Sequence, residues 1–582
     1  MEQEWTMILQ IAMLVTAIFT AFGLYILYEK RKKKRMLLAK IRADWGAWPE
    51  REYEPNDWKA AEGYYANRKC EGFQIDDITW EDLDLARVFM LLNHTGSYLG
   101  EGYLYYLLRT PDFSEEKLEE RESLICFFSE HEAEREQMQE LFWETGKSGR
   151  NSIYDAVYNL ADANPGSAAH HILMAGLVVA SIGSLFVAPR PGILILIAAM
   201  YVSMLDYYRK KRPIEHFAIS CGFLLKTLDM GEKLCSLDIP QITKQQVEIR
   251  HACQAFGKLR RNSFFLIAGS NTAGDLLTGI IMYLNSCFHI DLIQFSRVVR
   301  EMKKHLKEFE SIVEAAGEIE AAIAIASFRA CMESWCVPEL HFAPERQGRQ
   351  EEKSAGQTQE LQAKRLYHPL IQEPVKNDIS TERGVLLTGS NASGKSTFLK
   401  TVAINALLAQ TVHTCMADRW ESGCFRVYSS MALRDNLENR ESYYMVEIRS
   451  LKRIMDEIVR DDSRPPVLCF ADEVLRGTNT VERIAASAQV LKHMTGAGVL
   501  CFAATHDIEL TRILEHYYDN YHFQEEVVGN DIHFNYLLYP GRAVSRNAIR
   551  LLQIMGYDEE VIRQAQQAAQ KFADSGEWSV QE

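Results

Sequence analysis

Residues 384–396 read GVLLTGSNASGKS, and this stretch decides the fold of the C-terminal part of the chain. Its first five residues form a short apolar run typical of a buried strand. The next eight match G-x-x-x-x-G-K-[ST] at every fixed position, and a helical stretch over 396–408 follows directly. In such a loop the backbone N–H groups converge on phosphate oxygens, and the helix N-terminus adds a positive dipole. The sequence therefore predicts an α/β domain with a phosphate site at this loop.

The loop residues are the candidate ligands of a nucleotide. Lys395 is placed to reach the β- and γ-phosphates, so we count it among the catalytic residues. The Ser396 hydroxyl is placed to hold Mg²⁺, and the predicted cofactors are therefore ATP and Mg²⁺. The predicted ATP-binding residues are Gly389, Ser390, Asn391, Ala392, Ser393, Gly394, Lys395, Ser396 and Thr397.

Two further apolar runs end in candidate catalytic residues. The run 467–471 leads into Asp472 and Glu473. Asp472 is expected in the magnesium shell, and Glu473 is expected to polarise the attacking water as a general base. The run 500–504 leads into Thr505 and His506, where an imidazole can contact the γ-phosphate or the attacking water. Taken alone, a histidine at a strand end is structural more often than not, but the two nucleotide motifs in the same chain favour the functional interpretation.

Composition limits the remaining classes of protein. The 582 residues correspond to roughly three or four domains. A net charge of −15 argues against holding a polyanion by bulk electrostatics, so nucleic-acid binding would need a local basic patch. The twelve cysteines include no C-x-x-C, so we expect reduced thiols rather than a zinc set.

The N-terminal region carries a predicted membrane anchor. Residues 6–28 contain no charged side chain, and a helix of this length spans about 35 Å, enough for the hydrocarbon core of a bilayer. The basic cluster 30–35 that follows places the downstream side in the cytoplasm. A cleavable signal peptide would carry that charge before the apolar run, so we expect a retained anchor.

A second apolar region predicts a transmembrane hairpin. Residues 172–188 and 192–205 are separated by a helix-breaking Pro-Arg-Pro turn, and the basic cluster 209–212 follows the second run. The alternative is a buried helical hairpin of a soluble core. A weaker apolar stretch, 264–284, contains Asn271 and Asp275, which are costly in a bilayer, so we interpret it as a soluble core helix. Three spans are therefore expected.

The acidic strand end extends into a motif that resembles one protein family. Residues 472–480 read DEVLRGTNT, which is similar to D-E-L-G-R-G-T-S-T of the MutS DNA mismatch-repair family, a branch of the ABC-type P-loop ATPases. Residues 435–447 resemble the family's D-x-x-x-x-x-x-S-T-F-M-x-E, although two tyrosines replace Thr-Phe. The resemblance implies that Ser442 reaches the ATP of the other subunit, and hence a homodimer. Residues 367–371 resemble R-H-P-x-[IV], and either lie near the adenine or form a plain turn.

The resemblance extends weakly into the helical part. Residues 91–100 look like the start of the family's core or lever domain, and residues 317–327 look like its close. The family's mismatch-probing domain has no counterpart before residue 71, and the clamp that it inserts among the levers is not recognisable. We therefore do not expect mismatch-specific recognition.

The sequence thus predicts a multidomain protein of the cell membrane, multi-pass, with a mostly α-helical lever domain and a cytoplasmic α/β ABC-type ATPase domain. The predicted segments are a transmembrane anchor with its basic flank (1–35), the first lever part (36–170), the transmembrane hairpin (171–212), the second lever part (213–340), a polar linker (341–363) and the ATPase domain with C-terminal dimerisation helices (364–582).

Two hypotheses on the task stay open. In the first, the levers embrace DNA and ATP controls their closure, as in mismatch-repair proteins. In the second, DNA binding has been lost, and the ATPase acts mechanically on a membrane partner. The family favours DNA, whereas the acidic net charge favours the second hypothesis.

Overall fold

The chain forms two compact units in a computed structural model. The first unit contains Met1–Lys69, Leu92–Tyr106 and Glu122–Cys331, and the second contains Cys70–Leu91, Leu107–Arg121 and Met332–Glu582. The structure describes residues 2–68, 72–147, 153–162, 167–212, 217–257, 259, 276–342, 360–390, 393–431, 443–459, 464–496, 498–528, 531–543 and 548–576. Asn391, Ala392 and Ser442, all predicted site residues, lie outside the described residues. So do residues 264–275 of the weaker apolar stretch and 343–359 of the predicted linker.

The described chain up to residue 331 is helical. A 3₁₀ turn, Pro240–Ile242, precedes α12. The helices are α1 (Glu2–Asp44), α2 (Pro55–Asn67), α3 (Asp77–Asp82), α4 (Leu85–Leu92), α5 (Tyr98–Arg109), α6 (Glu115–Glu130), α7 (Glu132–Thr145), α8 (Ile153–Asp162), α9 (Ala168–Val187), α10 (Pro189–Lys211), α11 (Phe217–Cys235), α12 (Thr243–Ala255), α13 (Leu276–Phe288), α14 (Ile290–Lys304) and α15 (Leu306–Cys331).

Helices α9 and α10 form the hairpin that the two apolar runs predict. Within the described residues, these are the two helices long and apolar enough to cross a membrane. Only 17% and 22% of the residues in their apolar windows are buried, and Phe186 and Leu194 are 87% and 70% exposed. A hairpin in a soluble core would bury these side chains, whereas the described residues leave most of the apolar surface of α9 and α10 uncovered. Helix α13, the described part of the weaker apolar stretch, packs against both helices.

The predicted N-terminal anchor lies within one long helix. Helix α1 runs from Glu2 through the uncharged stretch and the basic cluster to Asp44. The basic residues therefore continue the same helix, and its last turn approaches helix α7, where Arg42 pairs with Glu136. The three predicted spans remain a prediction, of which α9 and α10 supply two candidates.

The first compact unit, called the helical unit below, contains a buried glutamate where α15 meets the segment before α5. Glu320 of α15 is 3% exposed. Its carboxylate accepts hydrogen bonds from the backbone N–H groups of Gly96 and Ser97 at 2.7 and 2.8 Å, and from that of Gly100 at 3.1 Å. At Gly317 a Cβ would overlap the Tyr103 side chain, so the backbone of α15 lies directly against α5. The Glu320 hydrogen bonds and the close approach at Gly317 therefore hold segments 91–100 and 317–327, which resemble the start and close of a lever domain, against each other.

The described residues of the second unit form two sheets. The six-stranded sheet has the order β10-β9-β4-β8-β7-β6, and all neighbours are parallel except β9 and β10. The four-stranded sheet has the order β1-β5-β2-β3. The strands are β1 (Glu339–His341), β2 (Leu361–Leu366), β3 (Asn377–Thr381), β4 (Gly384–Thr388), β5 (Arg419–Gly423), β6 (Arg426–Ser430), β7 (Val467–Asp472), β8 (Val499–Ala504), β9 (Tyr518–Val528) and β10 (Asp531–Pro540).

Helices cover the six-stranded sheet and complete the α/β domain. They are α16 (Lys395–Thr411), α17 (Tyr443–Val459), α18 (Thr480–His493) and α19 (Ile508–Ile513). The last two helices, α20 (Ala548–Ile554) and α21 (Glu559–Ser575), pack against each other. Strand β4 is buried along its whole length between β8 and β9, which explains its uninterrupted apolar sequence.

Helix α3 also belongs to this unit, although it lies far from the strands in sequence. It packs on the edge strand β6, where Asp82 accepts hydrogen bonds from the Ser429 hydroxyl and the Met431 N–H at 2.7 and 2.8 Å. These bonds fix the C-terminal end of α3 to the edge of the sheet.

Candidate functional site

The phosphate loop connects β4 to α16 in the predicted order. Gly389 has a φ of +145° and Gly394 a φ of +105°, which side-chain-bearing residues rarely adopt. A Cβ at Gly389 would lie 2.8 Å from the Phe523 carbonyl oxygen, so the glycine also permits close approach to β9. Both glycines of the motif therefore meet conformational needs of this loop.

Lys395 begins helix α16 and points back across the loop. Its ammonium donates to the carbonyl oxygens of Gly389 and Ser390 at 2.9 and 2.8 Å. The side chain is largely buried, and burial lowers the pKa of the amine, while the nearby Asp472 and Glu473 act in the opposite direction. The loop thus concentrates a cation and a helix N-terminus at one point, which suits an anion.

Strand register brings the two predicted acidic residues to this loop. Asp472 pairs with Ala504 across β7 and β8, and Leu387 pairs with Ala504 across β4 and β8. The Ser396 hydroxyl donates to Oδ2 of Asp472. Burial raises the pKa of the Asp472 carboxyl, and among the described residues its Oδ1 atom has no hydrogen-bond partner. A buried carboxylate oxygen with a free lone pair beside a serine hydroxyl fits the oxygen set that Mg²⁺ prefers.

Glu473 and His506 form a pair beside the lysine. Glu473 has a left-handed backbone, with φ of +54°, and its N–H donates to the Ala504 carbonyl at 2.9 Å. Its Oε1 lies 2.7 Å from His506 Nε2, and its Oε2 lies 2.8 Å from an Arg476 guanidinium nitrogen. His506 Nε2 is also 3.5 Å from the Lys395 ammonium. An unusual backbone conformation thus directs this carboxylate toward the loop.

A cavity of about 530 Å³ lies next to these residues. Lys395, Ser396 and Glu473 line one part of it, and Tyr367 and His368 line another. The segment 367–371, which sequence left open between an adenine contact and a plain turn, therefore shares a cavity with the loop. Burial lowers the pKa of His368 to about 4, so its ring is neutral at physiological pH and presents an uncharged, planar surface.

Several cavity residues carry no signal in the sequence. Tyr536 lies on β10 with a left-handed φ of +54°, and its ring approaches Gly394. Glu373 and Asn377 line the same space. A tyrosine in a strand of alternating polarity is common, so only the folding of β10 over the loop reveals its position.

Helix α17 supports the turn that follows the acidic pair. Glu447, 3% exposed, accepts a hydrogen bond from the Leu475 N–H, and burial raises the pKa of its carboxyl. Leu475 has a φ of +60°, and a Cβ at Gly477 would lie 3.1 Å from the Tyr444 ring. The motif that contains Ser442 is therefore held against the motif that contains Glu473 by residues that the structure describes.

Comparison with known proteins gives one family for this part of the chain. Residues 385–573 match the family described as MutS domain V. Relatives named DNA mismatch repair protein MutS include those of Halothermothrix orenii, 28% identical over 227 residues, and Thermotoga maritima, 28% identical over 281 residues. The Thermus aquaticus protein of the same name is 29% identical over 218 residues.

The matches cover part of each protein. They include 37%, 47% and 37% of this chain, and 25%, 33% and 26% of the respective relatives. The chain therefore spans only about a quarter to a third of the length of the curated relatives that it matches.

Proposed function

Because this chain belongs to the MutS family, we propose that it is an ATPase of that family attached to the cell membrane. The observation that carries the proposal is the convergence of Lys395, Asp472, Glu473 and His506 on the phosphate loop. The four residues come from three places, the start of α16, the end of β7 and the segment after β8, and each has a chemical task in phosphoryl transfer.

In the proposed reaction, the loop residues 389–397 bind the triphosphate, and the Lys395 ammonium exchanges its carbonyl partners for phosphate oxygens. Ser396 and Asp472 would hold Mg²⁺, which neutralises developing charge on the phosphates. Glu473 accepts a proton from the attacking water. His506 donates to Glu473 or to the γ-phosphate, and keeps the carboxylate oriented.

We propose that the active form is a homodimer in which Ser442 contacts the ATP bound by the partner. Within one chain, the hydrogen bond between Glu447 and Leu475 ties the end of the Ser442 segment to the turn that follows Glu473. The C-terminal region offers apolar surface for association, because Met555, directly after α20, is 75% exposed and Val561 of α21 is 47% exposed. ATP binding would close the dimer, and hydrolysis would reopen it.

We propose three membrane spans, α1, α9 and α10, with the ATPase domain in the cytoplasm and the segment boundaries predicted above. The exposed apolar surface of α9 and α10 supports the hairpin. An Arg190→Cys variant tests its outer turn, with the exposed native Cys126 as the internal reference. A membrane-impermeant maleimide should label residue 190 on intact cells, and Cys126 only after permeabilisation. Labelling at 190 that also requires permeabilisation would contradict the hairpin.

We propose that the levers act on DNA, which is what the names of the relatives suggest. The test is binding of the detergent-solubilised protein to homoduplex, mismatched and branched DNA across a salt series, with and without ATP. A DNA structure preference that persists as salt rises is the expected result, because non-specific phosphate contacts weaken steeply with salt. Absence of binding even at low salt would contradict this part of the proposal.

A second candidate is mechanical action on a membrane partner without DNA. The net charge of −15 and the exposed hairpin favour it. If DNA does not bind, ATPase activity should instead respond to lipid composition or to a membrane protein recovered by crosslinking through the hairpin.

A further inference from the structure

We propose that His170, His171, Asp206 and His289 form a binding site for a divalent transition-metal ion of the zinc class at the base of the α9–α10 hairpin. His170 and His171 lie in the first turn of α9, and Asp206 lies near the end of α10. His289 is the single residue between α13 and α14. None of the four belongs to the nucleotide site, so the inference is independent of the proposed ATPase reaction.

The ligand atoms of these side chains face one another. His170 Nε2 lies 2.8 Å from Asp206 Oδ2, and His171 Nδ1 lies 3.0 Å from His289 Nδ1. His289 Nδ1 lies 4.0 Å from Asp206 Oδ2. One ligand atom from each of His170, His171 and Asp206 lies within 4.8 Å of the other two. In a tetrahedral zinc site, neighbouring ligand atoms are about 3.3 Å apart, so small side-chain rotations bring His170, His171 and Asp206 to bonding positions. His289 is outside this group of three and must move further to become the fourth ligand.

The hydrogen bonding of His289 leaves a lone pair directed at the centre. Its Nε2 lies 3.0 Å from the backbone carbonyl oxygen of Ser203. A carbonyl only accepts, so Nε2 carries the proton, and Nδ1 of the neutral ring accepts from His171 Nδ1–H at 3.0 Å. A bound metal ion would take this lone pair, and the His171 proton would leave or move to Nε2 of its ring. A backbone carbonyl on the remote nitrogen is the usual partner of a metal-bound histidine, because it fixes the tautomer and the ring orientation.

Burial and surrounding charge also suit a cation. His289 is 0% exposed and His171 is 4% exposed, whereas His170 and Asp206 are partly exposed and provide a route of entry. On α10, Lys211 and Tyr207 donate to Asp291 at 3.2 and 2.7 Å, so neither of them engages the Asp206 carboxylate. Lys210 is a further positive charge near His171, and the Asp206 carboxylate offsets it.

The donor set selects the class of metal. Three imidazole nitrogens and one carboxylate oxygen suit zinc and neighbouring transition ions, whereas magnesium and calcium prefer oxygen ligands only. Four protein ligands fill a tetrahedron and leave no open position, which is typical of a structural rather than a catalytic site. A bound ion would fasten both ends of the hairpin to the junction of α13 and α14.

The experiment uses the full chain in detergent, stripped with a chelator and then titrated calorimetrically with zinc chloride in excess Mg²⁺. We expect one ion per chain and a raised thermal unfolding midpoint. Asp206→Asn preserves side-chain shape and should weaken zinc binding at least tenfold, and His171→Ala combined with His289→Ala should abolish it. His251→Ala, at an exposed position of the same unit, is the matched control and should bind like wild type.

Cobalt chloride identifies the ligands directly. Tetrahedral nitrogen and oxygen ligation should give strong visible bands without the near-ultraviolet charge-transfer band of thiolates. A thiolate band, unchanged zinc affinity in correctly folded Asp206→Asn, or loss of the ion in His506→Ala but not in Asp206→Asn would each overturn the proposal. If His171→Ala with His289→Ala does not fold, Asp206→Asn and the cobalt spectrum still decide.

Discussion

Two carboxylates, Glu320 in the helical unit and Asp472 at the candidate nucleotide site, have opposite relations to their surroundings. Glu320 is enclosed by the backbone N–H groups of Gly96, Ser97 and Gly100, which satisfy both of its oxygens. Asp472 receives the Ser396 hydroxyl on one oxygen, while its other oxygen is buried with no partner among the described residues. A saturated carboxylate supports the fold, and one with a spare oxygen is prepared for a ligand.

The largest expected effect is at the lysine beside Asp472. Lys395→Ala should abolish ATP binding, because it removes the buried cation that faces the triphosphate. Equilibrium binding of a fluorescent ATP analogue measures this. Lys492→Ala, on the exposed surface of α18, is the control and should bind normally. If Lys395→Ala binds the ATP analogue as tightly as wild type, the loop is not part of the ATP-binding site.

The next largest effect is on hydrolysis alone. Glu473→Gln should reduce the rate about a hundred- to a thousandfold, because an amide cannot accept the proton of the attacking water. ATP binding should persist and the closed dimer should accumulate, which single-turnover kinetics and light scattering detect. The exposed Glu482→Gln is the control. Equal hydrolysis by wild type and Glu473→Gln would show that Glu473 is not the base.

Removing the other carboxylate, that of Glu320, should lower the stability of the helical unit rather than affect ATP binding or hydrolysis. Glu320→Ala leaves the N–H groups of 96, 97 and 100 without an acceptor, which should cost about 4 kcal/mol. Hydrogen exchange of the 96–104 amides at pH 6 measures this, and exposed Glu248→Ala should leave it unchanged. If the 96–104 amides stay protected from exchange in Glu320→Ala, the Glu320 carboxylate does not stabilise this part of the helical unit.

Glu320 should also give the helical unit a pH dependence. Burial raises the pKa of its carboxyl from 4.5 to about 7, despite hydrogen bonds from Ser97 and Gly96 that lower it. The folded state therefore holds the proton more tightly than the unfolded chain. The contribution of this proton to the free energy of unfolding is complete below pH 4.5. The free energy of unfolding should fall by about 3 kcal/mol as pH rises from 4.5 to 7. Glu320→Gln should flatten this slope, and parallel slopes in wild type and Glu320→Gln would contradict the assignment.

The smallest expected effect concerns helix packing beside Glu320. Gly317→Ala inserts a methyl group against Tyr103, so the helices must separate at a cost of about 2 kcal/mol. Gly222→Ala, in α11, is the control, because its Cβ would meet no atom within 4 Å. Thermal unfolding of the detergent-solubilised chain compares them. Equal midpoints for Gly317→Ala and Gly222→Ala would show that the close approach does not matter.

The nucleotide loop was predictable because its determinants are contiguous. A five-residue apolar run, two glycines with positive φ and a lysine at a helix start are all local features. The strands that carry Asp472 and His506 were likewise predicted within a residue of their observed ends. By contrast, nothing local marked Tyr536 as a cavity residue or Glu320 as the centre of the helical unit.

By itself, the sequence determined the strand–loop–helix unit, the acidic strand end and the apolar hairpin, since periodicity and spacing encode which face of an element is apolar. Only the tertiary structure decided which faces meet. It placed Asp82 on the edge of the distant sheet, Glu447 under the turn at Leu475, and His171 against His289 across 118 residues. These pairings depend on long-range packing and on the burial of polar groups that need partners, and no local pattern records either.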